Sequence, residues 1–216
     1  MTQALLLFGA GGFGREVAAW AGRASWRGRG FELHGLIDDR LAGTELNGNP
    51  VLSLAEAATR FPGAGVVVTV GAPALRERLA AKALAAGLVA SAPLVHPNVE
   101  FDADTVALAD GVVICAGCLL TVNITVADHA QLNLDCTVGH DAVIGSYSTL
   151  SPGVHISGNV VVESHAFLGT GAVTVNGEAG APLVIGAGAV IGAGAVVAGA
   201  IAAGVTAVGV PARPRG

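Results

Sequence analysis

Aromatic side chains are scarce in this chain: they make up 4% of the 216 residues, with two Trp and one Tyr. Charge is scarce as well, at 12%, and there is a single Met. A core cannot then be organised round a few large anchors and has to be built from Ala, Val, Leu and Ile in regular layers. The net charge of −5 comes without any basic run, which argues against nucleic acid as a partner. So little charge also leaves little polar surface for a monomer and points to surface buried between subunits. Cys115, Cys118 and Cys136 are odd in number and form no disulfide framework. The N-terminus lacks a basic n-region, and its apolar run Ala4–Phe8 is too short for a signal peptide or a membrane span. The apolar stretch from Val184 to Val210 is longer, but it carries a six-residue period that a spanning helix does not need. A cytoplasmic protein without membrane insertion is the expectation.

What the chain does have is glycine, 32 residues of it, together with 9 prolines, set among Val and Ile where they read as turn residues of a β-rich array. The first part of the chain is different and alternates strand and helix. Strands are expected at Ala4–Phe8, Leu33–Ile37 and Val66–Val70, and helices at Gly14–Ala24, Ser53–Thr59 and Ala74–Ala86. Ser53 with Glu56 three residues on is a capping-box signature, and Gly87 stops the last helix. This alternation predicts a small Rossmann-like parallel sheet over residues 1–92.

The grammar then changes. From Leu108 an aliphatic residue recurs every six positions through Ile114, Leu120, Val126, Leu132, Val138, Ile144, Leu150, Ile156 and Val162 to Leu168. Four residues after each stands a small or β-branched residue, from Val112 and Cys118 to Ala166 and Ala172. The phase breaks at Thr174–Leu183 and resumes with Ile185, Ile191 and Val197. Such a period signals a β-helix over residues 93–216, with three hexapeptides to a coil of 18 residues. The aliphatic residues point into the prism, and the interruption is a loop thrown out from one corner. Cys115-x-x-Cys118 has a spacing that metal and redox sites use, yet both cysteines fit the repeat, where Cys behaves as a small hydrophobe.

Two further motifs precede the array. Gly9, Gly11 and Gly14 form a G-x-G-x-x-G after the first strand, a loop that offers amides and a helix N-terminus to phosphate. That pattern alone would suggest NAD, but the α/β segment is only about half a dinucleotide-binding domain. Asp38 and Asp39 follow the second strand, and Arg76 opens the third helix.

The hexapeptide array with its closing Gly209-Val210-Pro211-Ala212, the opening Gly9–Glu16 run, Gly35–Asp39 and Val138-Gly139-His140-Asp141 together resemble the hexapeptide-repeat acetyltransferases. Within them the closest likeness is to the branch that acetylates nucleotide-linked amino sugars, alongside the sialic acid O-acetyltransferase-like proteins. The resemblance implies a left-handed β-helix, a homotrimer with its active site between neighbouring prisms, and acetyl-CoA as donor without a metal. The acceptor it implies is a nucleotide-linked amino sugar, expected to be a 4-amino-4,6-dideoxy sugar of polysaccharide biosynthesis. It also implies site residues. His140 would be the general base, supported by Asp141. Asn133 and Gly171 would belong to the cofactor site, and Gly158, eighteen residues after His140, would offer its amide to the thioester carbonyl. Gly11, Gly12, Phe13 and Gly14 would meet the nucleotide sugar together with Asp38, Asp39 and, more weakly, Arg76. Many relatives carry a second histidine where this chain has Thr149, which leaves nearby His155 as a substitute, and relatives often have His where Phe13 stands.

Three rival readings compete. A zinc enzyme of the carbonic anhydrase-like branch would use His129 and His165, two coils apart, but the third ligand position holds Thr170. A non-catalytic sugar-nucleotide-binding scaffold would leave His140-Asp141 without a purpose. An O-acetyltransferase acting on a sugar such as sialic acid would use the same base on a hydroxyl.

Overall fold

A computed structural model describes residues 2–215, which divide into two compact units. One runs up to Pro97 and includes Asp110–Val112, and the other holds Asn98–Ala109 and the chain from Val113 onward.

The first unit contains β1 (Thr2–Phe8), α1 (Gly12–Ala21), β2 (Ser25–Trp26), β3 (Arg29–Ile37), β4 (Glu45–Leu46), β5 (Asn49–Leu52), α2 (Leu54–Arg60), β6 (Gly65–Val68), α3 (Pro73–Ala85) and β7 (Val89–Ala90). Its parallel strands lie in the order β5-β3-β1-β6-β7, with β2 and β4 added as antiparallel hairpin arms on β3 and β5. The alternation foresaw three of the five parallel strands. β5 escaped because Pro50 interrupts the apolar pattern, although Asn47-Gly48 is a strong hairpin signal and both residues take left-handed φ, +51° and +77°. The Ser53 capping box is present in full: Ser53 Oγ accepts the Glu56 N–H, and Glu56 accepts the Ser53 N–H at 2.8 Å. Leu5, Leu6 and Leu7 are fully buried, as a parallel strand covered on both faces requires.

The second unit is a left-handed parallel β-helix. Its three faces carry strands such as Ile124–Val126, Gln131–Leu132 and Thr137–Val138, and each pairs in parallel with the strand 18 residues later, as Thr125 does with Val143. Every aliphatic residue of the six-residue column from Ile114 to Leu168 is buried, and only the first, Leu108, is partly exposed. The small-residue column from Val112 to Ala172 is buried throughout.

A third column completes the repeat. Gly111, Gly117, Asn123, His129, Asp135, Asp141, Tyr147, Gly153, Asn159, His165 and Gly171 all adopt left-handed φ between +54° and +76°. These are the corner residues, and Gly, Asn, Asp and His are the types that tolerate that conformation. The column explains the two histidines spaced by two coils: His129 and His165 are corner residues with the Tyr147 ring stacked between them, at centroid distances of 5.0 and 5.3 Å. Among the described residues no group of three or more His, Cys, Asp or Glu is placed to hold a metal ion.

The cysteines fill the prism. Cys118 and Cys136 are buried and donate to the carbonyls of Asn133 and Ser151 at 3.0 and 3.3 Å. Cys118 beside it and burial both push the Cys136 thiol up, so it stays protonated. Among the described residues no helix is long and apolar enough to cross a membrane.

Candidate active site

The β-helix exposes its chemistry at one corner, where the third face turns into the first. His140 follows the inward Val138 by two residues and is about half exposed. Its Nδ1 lies 2.8 Å from Asp141 Oδ2, and Asn123 Nδ2 donates to Asp141 Oδ1 at 3.1 Å. The hydrogen bonds from His140 and then Asn123 hold the Asp141 carboxyl below the usual carboxylate range. An ionised carboxylate only accepts, so Nδ1 carries a proton, and in the neutral ring the lone pair then lies on Nε2. Asn123 precedes Asp141 by one coil in the left-handed column, an 18-residue relation that would have revealed it as the aspartate's second support.

Gly158 stands one coil beyond His140. A β-carbon there would fall inside the imidazole, against Cε1 and Nε2, so the ring lies directly on the glycine. The Gly158 N–H also has a partner: it donates to Asn176 Oδ1 at 3.2 Å. Asn176 belongs to the loop that interrupts the repeat, which leaves this same corner between Val173–Thr174 and Leu183–Ile185.

Asn133 and Gly171 sit on a different corner, between the second and third faces. Asn133 Nδ2 donates to the Leu150 carbonyl at 3.0 Å, and Gly171 has φ +69° with open space where a β-carbon would be. Within one chain they do not join His140. Thr149 is buried at 1% exposure, whereas His155 is exposed on the third face with Nδ1 2.8 Å from Thr137 Oγ1.

In the first unit a cleft of about 400 Å³ opens at the C-terminal ends of β1, β3 and β6, lined by Phe8, Gly9, Asp38, Asp39, Leu75 and Lys82 among others. This is where the strand order reverses on either side of β1, the usual ligand crevice of a parallel α/β sheet. Asp38 Oδ1 accepts the Arg40 N–H at 3.0 Å. Asp39 accepts the Leu54 N–H at 2.9 Å and lies 3.8 Å from Lys82 Nζ, so it also ties α2 to α3. Gly11 caps α1; Gly11 and Gly12 are exposed and Phe13 is partly buried. Gly14 is buried, because any β-carbon would strike the Gly9 carbonyl; its glycine serves packing.

Arg76 corrects the sequence reading. It is fully buried, and its Nη1 donates to the Val70 and Gly71 carbonyls at 2.7 and 3.2 Å. It fastens the loop after β6 and offers nothing to a ligand in the cleft.

Residues 4–83 match the family described as the PglD N-terminal domain. Over 213 residues, 96% of this chain and 94% of the relative, the sequence is 34% identical to a GDP-perosamine N-acetyltransferase of Escherichia coli. The chain belongs to the hexapeptide-repeat acetyltransferases. The structure of WeeI from Acinetobacter baumannii AYE superposes with a TM-score of 0.87 at 36% identity over 100% of both chains. That of PerB from Caulobacter crescentus, in complex with CoA and GDP-perosamine, gives 0.83 at 26% identity, covering 99% of this chain and 97% of the other. The corner of His140 gathers an imidazole, a carboxylate bonded to its Nδ1, and polar groups one and two coils on, the kinds of group that general-base acetyl transfer uses.

Proposed function

We propose that this acetyltransferase moves the acetyl group of acetyl-CoA to the amino group of a GDP-linked amino sugar, a 4-amino-4,6-dideoxy sugar, with His140 as general base. The observation that carries the reading is the His140–Asp141 pair, bonded at 2.8 Å at an exposed corner of the β-helix, in a chain matching a GDP-perosamine N-acetyltransferase from end to end. The neutral amine attacks the thioester carbon, and its surplus proton passes to His140 Nε2 as the N–C bond forms. Collapse of the tetrahedral intermediate breaks the C–S bond, and the imidazolium returns the proton to the leaving thiolate. Asp141 holds the ring in the tautomer that can accept and then supports the imidazolium.

The sugar nucleotide is assigned to the N-terminal α/β domain, residues 1–92, where Asp38 and Asp39 line the cleft and Gly11, Gly12 and Phe13 stand at the start of α1. Acetyl-CoA is assigned to the β-helix, residues 93–216. Because Asn133 and Gly171 stand on another corner than His140, a complete site needs two copies of the chain, which supports a homotrimer with three such seams. Acetyl-CoA as donor and a nucleotide-linked sugar as acceptor support a reaction in the cytoplasm.

The test is a panel of GDP-, UDP- and dTDP-linked amino sugars with acetyl-CoA, following thiol release and the mass of the acetylated product. The GDP-linked 4-amino sugar is expected to give the highest kcat/KM. Transfer confined to sugar hydroxyls, or none with any amine, would overturn the proposal.

A further inference from the structure

Two elements bring charge to the cleft of the first unit. Along α3, Leu75, Leu79 and Lys82 are spaced by four and three residues, so one stripe of the helix lines the cleft. Two apolar side chains come first on that stripe and the ammonium last. The other element is the turn after β3, and its backbone is held still. Asp38 N–H donates to the Leu52 carbonyl at 3.0 Å, and Leu41 N–H donates to the Asp38 carbonyl at 3.2 Å. Asp39 Oδ1 accepts the Leu54 N–H at 2.9 Å, which leaves Oδ2 beside Lys82, 3.8 Å from Nζ. Both side chains of this pair are more than half exposed, and such a pair adds little to the stability of a fold. Phe8, Ile37 and Val70 supply further apolar lining. Apolar walls with one donor and one acceptor side by side suit a flat ring with a polar edge.

We propose that Lys82 is a further specificity-determining residue: with Asp39 it reads the edge of the substrate's nucleobase. Its ammonium donates to a ring carbonyl, and the Asp39 carboxylate accepts from the ring N–H beside that carbonyl. The proposal rests on the reading of this cleft as the seat of the nucleotide-linked sugar. An ammonium only donates and a carboxylate only accepts, so the pair is complementary to a C=O next to an N–H. The 3.8 Å between Nζ and Oδ2 lets them address neighbouring groups of one ring. Guanine has that edge in O6 and N1–H, with N2–H2 as a second donor for the carboxylate; uracil and thymine have it in O4 and N3–H. Adenine and cytosine, held with the ribose in the same direction, turn an amino group toward the ammonium and a bare ring nitrogen toward the carboxylate. Donor then meets donor and acceptor meets acceptor, so both contacts are lost together. Leu75, Leu79 and Val70 meet the flat of any base alike, and the choice among bases falls to the charged pair.

The test compares the wild type with Lys82→Met, which keeps an unbranched side chain and removes the charge. The variant is expected to raise the KM of the GDP-linked amino sugar by about 10–100-fold, with the saturated kcat, the acetyl-CoA KM and the Tm of the wild type. Calorimetry with GDP and ADP on the same two proteins separates a base contact from a phosphate contact, because the two nucleotides share ribose and diphosphate. The wild type is expected to bind GDP more tightly than ADP by about tenfold or more, and Lys82→Met to weaken GDP while leaving ADP nearly unchanged. Equal losses for GDP and ADP overturn the proposal, since Lys82 then acts on the diphosphate. An unchanged KM, or a wild type that binds both nucleotides equally, overturns it too and leaves Lys82 as half of a surface ion pair. Its failure is distinct from failure of the parent reading. A wild type that binds neither nucleotide overturns both, whereas one that prefers GDP as expected but acetylates no GDP-linked amine overturns the transfer alone.

Discussion

At the scale of single residues, the site is a stack in which each side chain limits its neighbour. Asn123 supports Asp141, Asp141 fixes the His140 ring, and the ring rests on Gly158. Gly158→Ala therefore pushes a methyl group into the imidazole; Gly158 is buried, but the three atoms nearest such a methyl all belong to the ring of His140, a half-exposed side chain that has room to move aside. The variant is expected to keep a Tm within a few degrees of wild type and to lose at least tenfold in kcat, read by steady-state kinetics and thermal melting. His140 and Asp141 were legible in the sequence because their spacing sets them at a corner and their motif matches a known pattern. Gly158 was legible by position but not by cause, since nothing in a string of letters says that a histidine one coil away fills the space of its β-carbon. Arg76 was misjudged: at the start of a helix it looked available, and only the carbonyls of Val70 and Gly71 show where its charge is spent. Asn123 and Asn176 become visible only when the chain is folded at a period of 18 residues, which places them one coil before Asp141 and one coil after Gly158.

At the scale of elements, the β-helix is held by repetition of one small layer. Each strand contributes one inward aliphatic side chain, and each corner uses one left-handed residue and one small buried one. Local choice and global pattern agree at every coil, so the array was read from sequence almost without error. The α/β unit was harder. Its helices and long strands follow familiar periods, but β2, β4, β5 and β7 are two to four residues long and owe their existence to pairing with neighbours. Because each coil rests on the next, a void in one layer is poorly relieved. Leu132 is fully buried, and Leu132→Ala is expected to lower unfolding free energy by about 2–5 kcal/mol, measured by chemical denaturation. A loss under 1 kcal/mol would mean that the layers can collapse round the gap. Val143, whose side chain lies outward on an adjoining face and is 39% exposed, offers the matched control in the same denaturation series.

At the scale of the whole molecule, the proposed assembly of three chains with acetyl-CoA between neighbours would account for both the sparse charge and the distribution of candidate site residues over two corners. The His140 side chain is about half exposed on its own prism, and on the proposed reading a second chain brings the thioester to it. The measurement that reaches this account most directly is the turnover of His140→Ala with acetyl-CoA and a GDP-linked amino sugar, taken together with light scattering on the same sample. The account expects a particle of three chains in which kcat has fallen about 10²–10⁴-fold. A trimer that still turns over near the wild-type rate would contradict it, because the imidazole would then have no part in moving the proton.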